Sequence, residues 1–298
     1  MARFFTILSI DGGGIRGVFA SRILHNIEQD LKTPVAAKFD MLSGTSTGSI
    51  IAACLSLNYT CCDIVNFYLS ASRHIFKRRL KFTPKLIEKA LHSPYDNDRL
   101  KVVLRHIMGK KRLYDVHIPL VIPATNIKDG SAYIFSSFEN SRTHRVYEAV
   151  MASCAAPTFF DPVVIDGKLL ADGGLHANNP SALALTKSLS QCGVKLENIK
   201  ILSIGTGHFN KCYDHETVRW GLINGWKVRT LTEFVASVQS QTTYERVREL
   251  LPPGQLLRIN FEQDNLISPD DFSKMEDLVT LADEIYAIKK AEILDFLG

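Results

Sequence analysis

No apolar run in this chain is long enough to cross a bilayer. Its two most apolar stretches, Phe4–Ile10 and Ile50–Leu57, fall well short of the about 20 residues that a spanning helix needs. The first ends at Asp11 and three glycines rather than at a small-residue cleavage site, so it does not read as a secretory signal. The chain also lacks a C-x-x-C pair: Cys54, Cys61, Cys62, Cys154, Cys192 and Cys212 are not spaced to hold zinc. At 298 residues it can bury enough core to stand without disulfides, so reduced thiols are expected. Cys54, inside an Ala/Leu/Ile run, reads as a small buried hydrophobe. Linkers rich in Ser, Gly or Pro, low-complexity tracts and repeats are missing too, which predicts a single domain over 1–298. Nor is one sign of charge dominant. The net +4 suits anionic partners but is far too weak to indicate nucleic acid. A soluble, cytoplasmic protein is expected.

What is present alternates between strand and helix. Phe4–Ile10 reads as a first strand, and Ala20, Ile23, Leu24, Ile27 and Leu31 recur at helical steps until Pro34. Phe39–Leu42 is strand-like, and Ser46–Leu57 reads as a helix buried on most sides. Cys61 to about Met108 is predicted helical, broken near Thr83-Pro84 and Ser93-Pro94. Strands return at Ile118–Ala124 and Ala132–Phe135. Val163–Ile165 and Leu169–Leu170 flank Asp166-Gly167, a pair that favours a tight hairpin. A helix from Pro180 to about Gln191 and a strand at Ile199–Ile204 follow. Two long helices then close the chain around a strand at Leu256–Ile259. The stripes Leu231, Phe234, Val235, Val238 and Leu278, Leu281, Ile285, Ile288 read as core packing. The pattern predicts an α/β fold, three layers with a mainly parallel central sheet flanked by helices, and chemistry in the loops beyond the strands' carboxyl ends.

Three motifs fall in such loops. Asp11-Gly12-Gly13-Gly14-Ile15-Arg16-Gly17 joins the first strand to the first helix. Its backbone N–H groups, at a helix N-terminus, suit a phosphate, a carboxylate or a developing oxyanion, and Arg16 adds positive charge. Gly12, Gly14 and Gly17 also fit G-x-G-x-x-G, the alternative being a nucleotide- or phosphate-binding module on the Gly12–Gly17 loop. A dinucleotide site wants a second strand ending in an acidic residue about 20 residues on, and here a helix fills that interval. The second motif, Gly44-Thr45-Ser46-Thr47-Gly48, has the G-x-S-x-G form of a strained strand-to-helix turn that exposes a serine hydroxyl. Side chains at Gly44 and Gly48 would collide across such a turn. A serine nucleophile needs a base. His208, behind the strand Ile199–Ile204, would complete a Ser-Asp-His triad. Asp172, in the third motif Asp172-Gly173-Gly174, could instead take the proton directly, provided that burial raises its pKa.

The ordered set D-G-G-G-x-R-G, G-x-S-x-G and D-G-G resembles the patatin-like phospholipase family without a substitution at a defining position. Ala152–Pro157 and Leu202–Gly207 resemble further segments of that family, so the likeness runs from about residue 4 to 210 and leaves a less diagnostic, helical part at about 211–298. The resemblance implies a Ser46–Asp172 dyad, an oxyanion hole from Gly12, Gly13 and Gly14 supported by Arg16, and hydrolysis of fatty acyl esters through an acyl-enzyme. It implies no metal or cofactor. Membrane phospholipids would be the substrate, met by peripheral contact from the cytoplasmic side. Compact bacterial members include phospholipases switched on by cyclic nucleotides in antiphage signalling, and this chain is similar to them in size and layout. Finally, His74–Phe82 mixes four basic residues with apolar ones, and Lys110-Lys111-Arg112 forms a second basic cluster. Runs of this kind are most often solvated faces. The functional reading makes both an interfacial patch bordering the mouth of the site.

Overall fold

The computed structural model describes residues 3–75, 93–138, 140–209, 213, 220, 225–263 and 267–298. The N-terminal apolar run forms β1 (Phe5–Ile10), and the glycine loop leads into α1 (Gly17–Leu31), which ends as expected shortly before Pro34. Next, β2 (Met41–Gly44) runs almost directly into α2 (Thr47–Ser56). β2 begins later than the apolar pattern suggests, because its ladder with β1 starts at Met41 while Phe39 packs into the core just ahead of it. Then come α3 (Cys61–Ile75), α4 (Asn97–Met108), β3 (Leu120–Asn126), β4 (Ser131–Ser136) and α5 (Val146–Ser153). The expected helix break at Thr83-Pro84 lies outside the described residues. The hairpin of β5 (Val163–Ile165) and β6 (Lys168–Asp172) turns at Asp166 and Gly167, both with positive φ, the conformation that an Asp-Gly pair favours. The chain continues through α6 (Gly174–Ala177), α7 (Ser181–Cys192), β7 (Ile199–Ile204), β8 (His208–Phe209), α8 (Val228–Leu250), β9 (Leu256–Ile259), β10 (Glu262–Gln263) and α9 (Met275–Leu297).

Among the described residues one sheet has the order β5-β6-β3-β2-β1-β7-β9, with β4 paired to β3. The five strands β3, β2, β1, β7 and β9 run parallel, whereas β4 and β6 each pair antiparallel with β3, and β5 pairs antiparallel with β6. The sheet is therefore mainly parallel, as expected, with an antiparallel margin built from hairpins. Period-two alternation sends Leu8, Leu42, Ile122, Leu202 and Ile259 to one face, where they meet α1, α2, α3, α4, α5 and α9. Ile7, Met41, Val121, Ile199 and Ile201 point to the other, smaller core with α7 and the end of α8. That gives three layers. The second closing stripe packs the core as expected through Leu278, Leu281 and Ile285, and only its last member, Ile288, is exposed. The free thiol of Cys54 is buried in the larger core, in the apolar surroundings expected for it.

Register is what assembles the loops. Ile10 stands level with Gly44 on β2 and with Ile204 on β7, so the segments after these three strands emerge side by side at the carboxyl edge. The glycine loop is then tied to the C-terminal part of the chain. Arg258 on β9 donates to both carboxylate oxygens of Asp11, at 2.8 and 2.6 Å, and to the Ser203 hydroxyl at 2.7 Å. Asp11 is buried, so this bidentate pair is a dry one. Arg258→Met strands the carboxylate without its partner. It should lower stability by about 3–5 kcal/mol, read from urea unfolding midpoints; a loss under about 1 kcal/mol would mean that the pair does not anchor the loop.

Candidate active site

Ser46 sits at the bend between β2 and α2 with φ 51 and ψ −121, a conformation that a residue with a side chain rarely adopts. The surroundings enforce it. A Cβ on Gly44 would run into the Gly48 backbone, and one on Gly48 would run into the Ile10 carbonyl, so both glycines are required by close approach. The Ser46 N–H donates to the Ser153 hydroxyl at 2.9 Å, and its carbonyl accepts from the Ser49 hydroxyl at 2.6 Å. Thr45 is held through its hydroxyl to the Ala177 carbonyl at 2.6 Å. Bend, helix start and the α6 turn thus form one bonded unit.

Asp172 closes β6 opposite Ala124 and lines the same cavity as Ser46, whose hydroxyl lies close enough to favour the ionised carboxylate. The Gly174 N–H donates to that carboxylate, at 2.6 Å. Both favour the charged form, but burial outweighs them and, with the nearby Glu233 charge, lifts the carboxyl to about 7. A pKa there allows an aspartate both to accept and to return a proton near neutrality.

The glycine loop lies against this pair. Gly12, Gly13 and Gly14 line the same cavity as Ser46 and Asp172. Their N–H groups are not equivalent. The Gly12 N–H donates to the Asn178 carbonyl at 3.1 Å, while among the described residues those of Gly13 and Gly14 meet no protein acceptor. Of the three donors expected from the sequence, those of Gly13 and Gly14 are thus the ones without a protein acceptor among the described residues. Arg16 is buried beside them but is not a loose charge. It donates to Glu233 of α8 at 2.7 Å and to the Ile267 carbonyl at 2.8 Å. Its role is to tie the loop to α8.

The cavity has a volume of ≈ 350 Å³ and is walled mainly by apolar side chains, among them Ile50, Phe67, Tyr68, Leu100, Phe159 and Phe160. Leu231 and Val235 of α8 belong to this wall, so the first closing stripe borders a cavity instead of packing a core. Among the described residues no histidine lines it. The His208 Nδ1 hydrogen-bonds Ser237 at 3.0 Å, and His176, next after the D-G-G turn, bonds Thr125 at 3.1 Å. Among the described residues no cluster of His, Cys, Asp or Glu is gathered that could hold a metal ion. Lys110 and Lys111 border a separate depression with Leu57 and Tyr59 and are not among the residues that line this cavity. From the first cluster, residues 76–82 lie outside the described residues.

Asn178, Ser153, Glu233 and Gln239 were not legible as site residues in the sequence. Gln239 of α8 accepts from the Asn178 N–H at 2.7 Å and donates to the His176 carbonyl at 2.7 Å, which clamps the turn that follows Asp172. Only Ser153 had a signal, as part of the Ala152–Pro157 segment.

Comparison with known proteins agrees with the motifs. The family model described as patatin-like phospholipase matches residues 8–185. Patatin-like protein 1 of Arabidopsis thaliana is 32% identical over 263 residues, covering 74% of this chain and 63% of that protein. A cGAMP-activated phospholipase of Vibrio cholerae is 30% identical over 226 residues, covering 67% of this chain and 63% of that protein. The chain thus spans somewhat less than two thirds of these curated relatives. Among solved structures, VipD from Legionella pneumophila aligns with a TM-score of 0.48 at 13% identity, over 94% of this chain and 67% of that one.

The raised carboxyl pKa has a stability consequence of definite sign. Its contribution is present below the ordinary value of 3.8 and is lost as pH climbs through about 7, because the folded state holds a proton that the unfolded chain releases. Asp172→Asn removes this term, so the stability it gains over wild type should grow by roughly 2–3 kcal/mol between about pH 5 and pH 8. Urea midpoints at the two pH values measure it, and a gain independent of pH would return Asp172 to the ordinary carboxylate range.

Proposed function

Because this chain belongs to the patatin-like phospholipase family, we propose that it is a lipid acyl hydrolase that cleaves fatty acyl esters of membrane phospholipids by a Ser46–Asp172 dyad. The observation that carries the reading is a serine on a strained bend and a buried carboxylate of raised pKa that share the wall of one apolar cavity. In this reading Ser46 Oγ attacks the acyl carbonyl and its proton passes to Asp172. The oxygen of the tetrahedral intermediate gains charge next to the uncommitted N–H groups of Gly13 and Gly14 and the N-terminus of α2. As the intermediate collapses, Asp172 returns the proton to the departing alcohol, a lysolipid, and leaves Ser46 acylated. Water then attacks the acyl-enzyme as Asp172 takes its proton, and return of that proton to Ser46 Oγ as the acyl C–O bond breaks frees the fatty acid and restores the serine. The acyl chain would occupy the cavity, where each methylene withdrawn from water contributes about 0.8 kcal/mol.

The reading treats residues 1–298 as one working unit, since α8 and β9 supply bonds to the site. Among the described residues no helix is long and apolar enough to cross a membrane. The proposal therefore has the protein working in the cytoplasm and meeting lipid from the membrane surface. The relatives named as cGAMP-activated phospholipases support a finer proposal, that a cyclic nucleotide switches the enzyme on within an antiphage response. The Ser-Asp-His alternative draws no support from His208, which is bonded to Ser237.

Ser46→Ala should abolish hydrolysis of a short acyl ester and leave phospholipids intact by mass spectrometry, with a cyclic dinucleotide supplied in parallel samples. His208→Ala should keep most activity. Destruction of activity by His208→Ala in a folded protein would replace the dyad by a triad. Undiminished hydrolysis by Ser46→Ala would end the serine mechanism altogether.

A further inference from the structure

Both tryptophans of this chain lie at the surface in one aromatic cluster. Tyr213 is its hub, with ring centroids 5.7 Å from Trp220, 5.4 Å from Trp226 and 5.5 Å from Phe234, and the two indoles are 5.2 Å apart. Trp220 is 44% exposed and Trp226 38%, unusually open for the largest apolar side chains. Phe234 brings the cluster to the cavity rim, because on α8 it stands one turn before Val238, on the side of the helix next to Val235, which lines the cavity. Val235 is at the same time 48% exposed, Val238 one turn on is 47% exposed, and Leu175 of α6, also in the cavity wall, is 44% exposed. An apolar surface is therefore continuous from the cavity lining, over its rim, to two exposed indoles.

We propose that this rim, formed by Trp220, Trp226, Val235, Val238 and Leu175, is the surface that docks on the lipid bilayer. The inference rests on the acyl-hydrolase reading and adds where the protein meets its substrate. Continuity names the occupant. A chain entering the cavity is drawn from a lipid whose remaining parts stay in the bilayer, so the residues around the opening face hydrocarbon and headgroups during transfer. Indoles suit that boundary, with an apolar body and one N–H donor, and are enriched at membrane interfaces for this reason. Left in water, a contiguous apolar patch is costly, and such patches mark contact surfaces. The surface is apolar and aromatic, so docking takes place on zwitterionic lipid and depends little on salt.

Intrinsic fluorescence reads the surface directly, because both indoles are in it. The probe is phosphatidylcholine vesicles with brominated acyl chains, added to the full chain carrying Ser46→Ala so that lipid is not consumed. Tryptophan emission should be quenched as lipid rises. Val238→Glu, which keeps both indoles, should weaken vesicle binding about tenfold. With Ser46 intact, the Trp220→Ser, Trp226→Ser pair should slow hydrolysis of vesicle lipid on the order of tenfold and leave hydrolysis of a short soluble ester within about twofold. Unquenched emission, or vesicle binding unaffected by Val238→Glu, overturns the proposal. Emission that instead shifts with protein concentration alone, together with a second copy in sedimentation, assigns the rim to self-association and overturns it equally. If the wild type hydrolyses no ester of any kind, the enzymatic reading fails, while quenching still decides whether the rim docks.

Discussion

Removal of water from one carboxylate governs this structure. As the proposed base, Asp172 would be feeble in solution, and its usefulness near neutral pH would come from a site that compensates the ionised form only through the Gly174 N–H and the nearby Ser46 hydroxyl. Burial exceeds what these two return, so the proton is held until about pH 7. The same imbalance disfavours the folded state at higher pH. Strain at Ser46 adds to it. A site arranged this way persists only if the rest of the fold over-determines its geometry.

The over-determination comes from far along the chain. β1 and β2 carry the glycine loop and the serine bend, but the elements that immobilise them arrive some two hundred residues later. Arg258 on β9 fixes Asp11 with two bonds, Gln239 on α8 holds the turn after Asp172, and Glu233 of α8 pairs with Arg16. Each is a charged or amide side chain taken out of water. Each therefore costs desolvation and is stable only with its partner in place. The C-terminal part thus completes the site that the N-terminal motifs begin. The family match at residues 8–185 contains Ser46 and Asp172 with their nearer supports, Ser153 and Gly174, but not those on α8 and β9.

How much of this was legible in the sequence follows from range. Signals carried by neighbours in the chain read well: the strand before each glycine turn, the helical step from Ala20 to Leu31, the Asp166-Gly167 hairpin and the glycines that Ser46 needs two positions to either side. Features set by partners distant in sequence did not. The antiparallel margin is a property of hairpin pairing, which alternation of apolar residues cannot distinguish from parallel strands. The Gly12 N–H looked equivalent to its neighbours until the fold brought up the Asn178 carbonyl. The stripe on α8 was a sound helical pattern with its facing surface misread. Periodicity shows that one side of a helix is apolar, and says nothing about whether that side meets a core, a cavity or lipid.

That last ambiguity bears on the chemistry. Val235 and Leu231 face the cavity where an acyl chain would lie, and Val238 with the indoles continues the same surface outward. Contact with lipid along this rim would close the route by which water reaches Ser46. Two effects then act in opposite directions. Donors such as the Gly13 and Gly14 N–H groups gain strength toward an oxyanion as the local dielectric falls. The ionised form of Asp172 becomes still less favourable by the same change. The proposed attacking step would need both an ionised Asp172 and strong donors, so it would be served best by a carboxylate poised near neutrality before docking rather than deeply protonated. The Gly174 N–H and the nearby Ser46 hydroxyl act in that direction, because each opposes the upward pull of burial. Without them the exclusion of water that favours the oxyanion would also silence the base.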